Sequence, residues 1–371
     1  MCYTQNRFKA LLSACVLSLI ATAGWSQSLT WLGTLGGDRS YAYGVSNNGV
    51  VVGWAYNAAG QHRAFRWTAS EGMQDLGTLG GNRSAALGVS ADGAVVVGAA
   101  YDAAGHQRAF RWTASGGMQD LGTLGGNRSD AWGVSANGAV VVGIANNAAG
   151  QSRAFRWTAS EGMQDLGTLP GGNRSEAYGV SANGTVVVGW AHNAAGQRRA
   201  FRWQNGVMQD LGTLGGNQSW AYGVSADGSV VVGWADNAAG QRRAFRWTAS
   251  GGMRDLGTLG GIGSIAWDVS ADGAVVVGGA TNAAGQPRAF RWTASGSMED
   301  LNTTYASQLT DGSVLYEALA ISPDGRYIVG GGWNAATGRD EAFLLDTVPE
   351  PASLLALGAG LVGLLRRRGK Q

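Results

Sequence analysis

Between the two ends of the chain, apolar residues come in short runs broken by turn residues, with no long stretch at helical spacing. Four such runs open the pattern: Tyr41 to Val45, Val50 to Ala55, Ala64 to Thr68 and Met73 to Leu79. Asn47-Asn48-Gly49 separates the first two and offers the positive-φ positions of a tight hairpin. Asn57 to Gly60 and Ser70 to Gly72 separate the others. Valine triplets such as Val95-Val96-Val97, together with the aromatic residues, suit strands. The pattern predicts a unit of four short antiparallel strands.

That unit recurs. Its phenylalanine stands at Phe65, Phe110, Phe155, Phe201, Phe245 and Phe290, about every 45 residues, with a divergent seventh at Phe343. Four strands in a period of roughly 40 to 45 residues is the signature of a propeller blade. The fourth strand begins at Met73, Met118, Met163, Met208, Met253 and Met298, whereas strands one to three occur once more, as Tyr316 to Ile321, Tyr327 to Gly332 and Ala342 to Leu345. The missing strand lies at the other end, in Ser28 to Leu35. An all-β, seven-bladed β-propeller over residues 27–347 is therefore expected, closed by the N-terminal strand so that no sheet edge is left open.

The ends read differently. Residues 1–26 have the layout of a signal peptide: Arg7 and Lys9, an apolar run from Ala10 to Ala23, and Ala21-Thr22-Ala23 for a signal peptidase. Cys2 and Cys15 both fall inside it, so the exported chain is expected to have no thiol, disulfide or cysteine-held metal. Leu12-Ser13-Ala14-Cys15 has the form of a lipoprotein box, but the apolar stretch before it is very short.

Residues 348–371 hold Val348, Pro349, Glu350 and Pro351, then an apolar stretch from Ala352 to Leu365, then Arg366, Arg367 and Arg368 with Lys370 beyond. Fourteen helical residues would reach about 21 Å, short of a hydrocarbon core of roughly 30 Å. The arginines orient such a segment with its C-terminus in the cytoplasm. This tail closely resembles the PEP-CTERM sorting signal. The resemblance implies transient anchoring at the inner membrane of a Gram-negative bacterium, recognition by an exosortase that removes the helix, and a final place at the cell surface or outside. A plain C-terminal anchor is the alternative. The repeated Arg-Ala-Phe-Arg-Trp core is similar to the His-Ala-Phe motif of the extracellular HAF repeat family, with arginine or Glu341 in place of histidine in every copy.

Charge changes the picture once the ends are set apart. The whole chain is +2, of which Arg7 and Lys9 supply two and the segment from Val348 a net three, leaving −3 on the domain. A mildly acidic domain is a poor partner for nucleic acid, and none is expected. Its basic residues are all arginine, the residue whose planar fork suits fixed carboxylate pairs or anion recognition.

In a strand alternate residues face opposite sides, so Phe65 and Trp67 share a face with Arg63, and Arg66 takes the other. The aromatics are expected to pack neighbouring blades together. Six copies hold an arginine and an aspartate that the seventh lacks jointly: Arg66 with Asp75, Arg111 with Asp120, Arg156 with Asp165, Arg202 with Asp210, Arg246 with Asp255 and Arg291 with Asp300. Joint loss suggests cross-strand pairs that set register. The other ring, Arg63, Arg108, Arg153, Arg199, Arg243 and Arg288, has no obvious partner and is the candidate site for an acidic exopolysaccharide. Asn82-Arg83-Ser84 and its equivalents match the glycosylation triplet but read as turns.

Catalytic chemistry finds little support. His62, His106 and His192 occupy loop positions filled by other polar residues elsewhere, and no metal or cofactor is expected. The non-repeated acids Asp268, Glu317, Asp340 and Glu341 are the only candidates for a glycan-processing hydrolase. The leading expectation is a non-enzymatic exported protein that binds or organises extracellular polysaccharide; a hydrolase and a purely structural surface protein are the alternatives.

Overall fold

The computed structural model describes residues 27–347. The predicted signal and sorting segments, with Pro349, Arg366 and their neighbours, lie outside the described residues. By contacts, Leu29–Leu345 forms one compact unit.

The described residues are all-β, with 28 strands arranged as propeller-like sheets. Five sheets have four strands each, in simple up-and-down order. An eight-stranded sheet takes the remainder. In it, Val314–Ile321, Tyr327–Asn334 and Arg339–Asp346 continue into Gly36–Val45, Val51–Asn57, His62–Thr68 and Gly72–Asp75, while Ser28–Trp31 also pairs with Arg339–Asp346. The two halves of this sheet join through a single parallel bridge, Arg39 to Asp340.

First strands begin earlier than the apolar pattern predicts, at Gly36 and Gly80 instead of Tyr41 and its equivalents, and fourth strands end earlier, at Asp75. The reason is a serine. Ser84 Oγ donates to Gly77 O at 2.6 Å and accepts the Ala64 N–H at 2.9 Å, tying one repeat to the next through a buried hydroxyl. Ser40, Ser129, Ser219 and Ser264 do the same in their own copies. The Asn-Arg-Ser triplets read as turns therefore lie in strands wherever the first strand is long, as in Gly80–Val89 and Gly125–Val134. One turn of α-helix, Leu301–Thr304, capped by Asp300, departs from the all-strand expectation.

The core is laid down between sheets. Phe110 is fully buried among Val52 and Ala64 of the preceding repeat and Ala86, Val96 and Ala100 of its own. Phe65 packs likewise against Val329, Ala342 and Leu344 of the C-terminal strands. Each apolar face thus meets the next repeat, as expected of Phe65 and Trp67. The invariant second-strand glycine is set by space: a Cβ on Gly53 would lie 1.9 Å from Tyr41 O. In the hairpin turns, Gly49 at φ 76° and Gly93 at φ 75° adopt the left-handed conformation that favours glycine.

A chain of backbone hydrogen bonds links successive turns. The N–H of Asn47 donates to Ala91 O, Ala91 to Ala136, Ala136 to Ala182, Ala182 to Ala226, Ala226 to Ala271 and Ala271 to Pro323, at 2.8 to 3.1 Å.

Candidate binding face and central cavity

The two arginine rings exchange the roles expected of them. Asp75 lies directly opposite Phe65, and Arg66 opposite Gln74. Directly opposed residues share a face, so Asp75 shares the face of Arg63 and not that of Arg66. The ion pairs follow: Arg63 with Asp75 at 3.7 Å, Arg108 with Asp120 at 3.8 Å, Arg153 with Asp165 at 3.8 Å, Arg199 with Asp210 at 3.2 Å and Arg288 with Asp300 at 3.8 Å. The predicted Arg66–Asp75 type of pair is thereby corrected, and so is the reading of Arg63 as unpaired. Arg63, Arg153, Arg243 and Arg288 also donate to the glutamine two residues earlier.

Arg66 and Arg156 instead pair with Glu71 and Glu161 at 3.3 and 3.2 Å, and Arg291 with Glu299. Arg111, Arg156, Arg202 and Arg246 reach the next repeat, donating to the carbonyls of Gly138, Gly184, Gly228 and Gly273. The aspartates also close the turn after the fourth strand, since Asp75, Asp120, Asp165, Asp210 and Asp255 each accept the N–H of the glycine two residues on.

The non-repeated acids divide in the same way. Asp340 pairs with Arg39 at 3.4 Å, and Glu341 is buried, accepting from Asn334 and Thr337 at 2.8 and 2.9 Å. Asp268 stands where five other first strands have glycine. Its Oδ2 accepts the Ile321 N–H at 3.0 Å and its Oδ1 the Val269 N–H at 2.8 Å. It borders the central cavity but lies deep in the protein, and burial pushes its carboxyl up to about 6. Burial also raises Glu317 above the usual carboxylate range.

A feature missed in the sequence is where the copies differ. The first six repeats are near-identical except chiefly at the positions of Tyr41, Tyr43, Trp54, Tyr56 and His62. The position of Tyr41 is Ala85, Asp130, Glu176, Trp220, Ile265 and Glu317 in the other copies. Register puts Tyr41 opposite Trp54 and Tyr56 opposite His62, so these residues share one face at the N-terminal end of the first strand. Comparing the copies against one another carries this signal.

In the fourth and fifth repeats that end is built from tryptophan and arginine. Trp220 stacks on Trp234 with centroids 4.2 Å apart, and both are buried. Exposed Arg242 lies 4.0 Å over Trp234, and exposed Arg198 sits 5.2 and 5.3 Å from Trp190 and Trp220. Neither guanidinium makes an ion pair within 4.0 Å among the described residues. Below them Glu176 accepts from Tyr178 at 2.7 Å and from the Trp190 indole at 3.2 Å. In the first repeat His62 stacks on Trp54 at 4.1 Å, and burial lowers its pKa. His106 lies 3.4 Å from Asp102, and His192 contacts Asn173 at 2.9 Å.

Toward the C-terminal halves of the first strands a cavity of about 750 Å³ opens, bordered by Tyr43, Trp132, Tyr178, Tyr222 and Trp267, with Asp268 and Glu317.

Comparison with known proteins supplies the address. Residues 347–369 match the PEP-CTERM protein-sorting motif. The chain ends in a sorting signal. That motif implies an exosortase-sorted extracellular protein, exported with surface or membrane association in a Gram-negative bacterium. Among the described residues no helix is long and apolar enough to cross a membrane.

Among solved structures, the chain is similar to the β-propeller domain of the Trilobed protease from Pyrococcus furiosus, at 10% identity and a TM-score of 0.52, covering 84% of this chain and 97% of that one. It also matches TolB from Acinetobacter baumannii at 13% identity and a TM-score of 0.48, over 78% of this chain and 77% of that one. AofleA from Arthrobotrys oligospora follows at 14% and 0.42, over 74% and 88%. The likeness to the Pyrococcus domain is one of fold, a β-propeller. No curated protein matches the sequence.

Proposed function

We propose that this is an exported, non-enzymatic seven-bladed propeller of the HAF type that binds extracellular polysaccharide at the N-terminal end of its first strands. The observation that carries the reading is that differences among the first six copies concentrate at the positions of Tyr41, Trp54, Tyr56 and His62, which share that face, while most of each of those repeats stays nearly constant. A composite face of this kind suits one asymmetric ligand better than six equal weak sites. Arg198 and Arg242, exposed and backed by tryptophan, are the groups an acidic sugar chain would meet. The Arg63 ring is unsuited, because binding there would break existing carboxylate pairs.

Seven blades follow if the eight-stranded sheet is two blades, with Ser28–Trp31 as the outer strand of the last. The chain of hydrogen bonds from turn to turn supports this reading, and so does the pairing of Ser28–Trp31 with Arg339–Asp346. A non-enzymatic role is favoured because Asp340, Glu341 and Asp268 are each committed to a partner, which leaves Glu317 without the second free carboxyl a glycosidase needs.

The test is to titrate the purified full chain with the producing strain's polysaccharide at low and raised salt, while assaying released sugar. Salt-sensitive binding that falls about tenfold in Arg198→Gln/Arg242→Gln, without sugar release, is the expected result. Sugar release would overturn the non-enzymatic reading; binding unchanged in the double variant would overturn the assigned face.

A further inference from the structure

The central cavity is lined by neither exposed arginine, although its Tyr178 and Tyr222 accept hydrogen bonds from tryptophans beneath them, and a ligand there goes beyond the polysaccharide reading. Its wall combines aromatic rings with carboxyl groups and contains no arginine, lysine or histidine. Three ring contacts hold part of the wall together: Trp132 with Tyr178 at 5.3 Å between centroids, Tyr178 with Tyr222 at 5.1 Å, and Tyr222 with Trp267 at 4.7 Å.

The two carboxyls differ. Asp268 spends both oxygens on backbone N–H groups. Glu317 makes no hydrogen bond or ion pair among the described residues, and burial raises its pKa. It has room because the neighbouring second strand carries Gly279, where the first five repeats have tryptophan, isoleucine or alanine; a Cβ there would come within 3.2 Å of Glu317 Cγ. Leaving an unpaired carboxylate in a partly desolvated site costs free energy unless a cation joins it. The aromatic rings that share the cavity wall attract the same charge.

We propose that the cavity is a binding site for a compact organic cation, an ammonium or quaternary ammonium group, held by Glu317 within the ring of Tyr43, Trp132, Tyr178, Tyr222 and Trp267. An anion is disfavoured there by both carboxyls. A neutral ligand of the same shape gains the apolar contacts but neither the ion pair nor the cation–π attraction.

The experiment is isothermal titration of the full chain with choline and ethanolamine, and with 3,3-dimethyl-1-butanol as the neutral isostere of choline. Glu317→Gln is run in parallel, with thermal melting to confirm its fold. At least one cation is expected to bind, and if that cation is choline, about tenfold or more tightly than the isostere. Glu317→Gln should lose that preference while melting no lower than wild type and keeping its weak affinity for the isostere. Binding of neither cation, equal binding of choline and the isostere, or undiminished cation binding by a folded Glu317→Gln would each overturn the proposal. Loss of polysaccharide binding in Arg198→Gln/Arg242→Gln without loss of cation binding would show that the two faces act separately.

Discussion

The backbone N–H of Asp324 donates to the side-chain Oδ1 of Asn47 at 3.0 Å, across 277 positions of sequence. Between the other successive turns a backbone-to-backbone bond makes the link, joined at the first by Asn48 Nδ2 donating to Asp92 O. Here the preceding residue is Pro323, which has no N–H to give. The next N–H is used instead, and the acceptor is a side chain that the other repeats lack, since they have alanine or Pro323 in place of Asn47. Asn47→Ala should therefore lower stability by about 0.5 to 1.5 kcal/mol, the net worth of one such bond, seen as a reduced denaturant midpoint with unchanged slope. No shift of the midpoint would mean that this contact contributes nothing to joining the two ends of the sheet array.

Double-mutant cycles distinguish the two arginine rings. Arg108 with Asp120 should show a coupling of about 0.2 to 1 kcal/mol, as a partly exposed ion pair does. Arg111 with Asp120 should show none. Asp120→Asn alone should cost little, because its Oδ1 can still accept the Gly122 N–H. Coupling of Asp120 to Arg111 instead would contradict the register that places Phe110 opposite Asp120.

Phe110→Ala should cost about 3 to 5 kcal/mol, because a fully buried ring between two repeats leaves a cavity that rigid strands cannot collapse into. Trp112→Ala should cost less, since Trp112 is only partly buried. Equilibrium denaturation measures both, and a reversed order would place the inter-repeat core elsewhere.

Asp268 gives a pH signature with a definite sign. Its folded-state pKa of about 6 lies above the ordinary value of 3.8, so the native protein holds this proton where the unfolded chain has lost it. Stability should fall as pH rises from about 4 to about 6 and then level off, by at most roughly 3 kcal/mol and less to the extent that the cavity holds water. Asp130 and Glu317 tend the same way, because burial raises both. The quantity to measure is therefore the difference between wild type and Asp268→Asn across this window. A difference that does not change with pH would refute the assignment.

Much of the architecture was legible because each repeat states its own structure. Valine runs, Asn-Gly or Asp-Gly turns and the phenylalanine at fixed spacing are local signals, and the strands appear near where they predict. Strand ends were less legible: the serine at Ser84 joins three segments, and nothing in a local window reveals a hydroxyl shared between a neighbouring strand and a loop. The arginine pairing was misread for a related reason. Joint absence of Arg66 and Asp75 equivalents in the last copy hinted at partnership, but which face a side chain takes depends on which residue stands opposite it. A register that sets Asp75 against Phe65 hands the aspartate to Arg63.

The sequence by itself determined the strand-rich repeat and the sorting tail, because period, turn chemistry and an apolar stretch bounded by Pro-Glu-Pro and arginines are all written within short windows. Only the tertiary structure decided that Arg63 is paired, that Glu317 is left facing a cavity over Gly279, and that Trp190, Trp220 and Trp234 from different copies meet beneath Arg198 and Arg242. These are relations between strands tens of residues apart, set by register and by the packing of one sheet on the next, and no single repeat contains them.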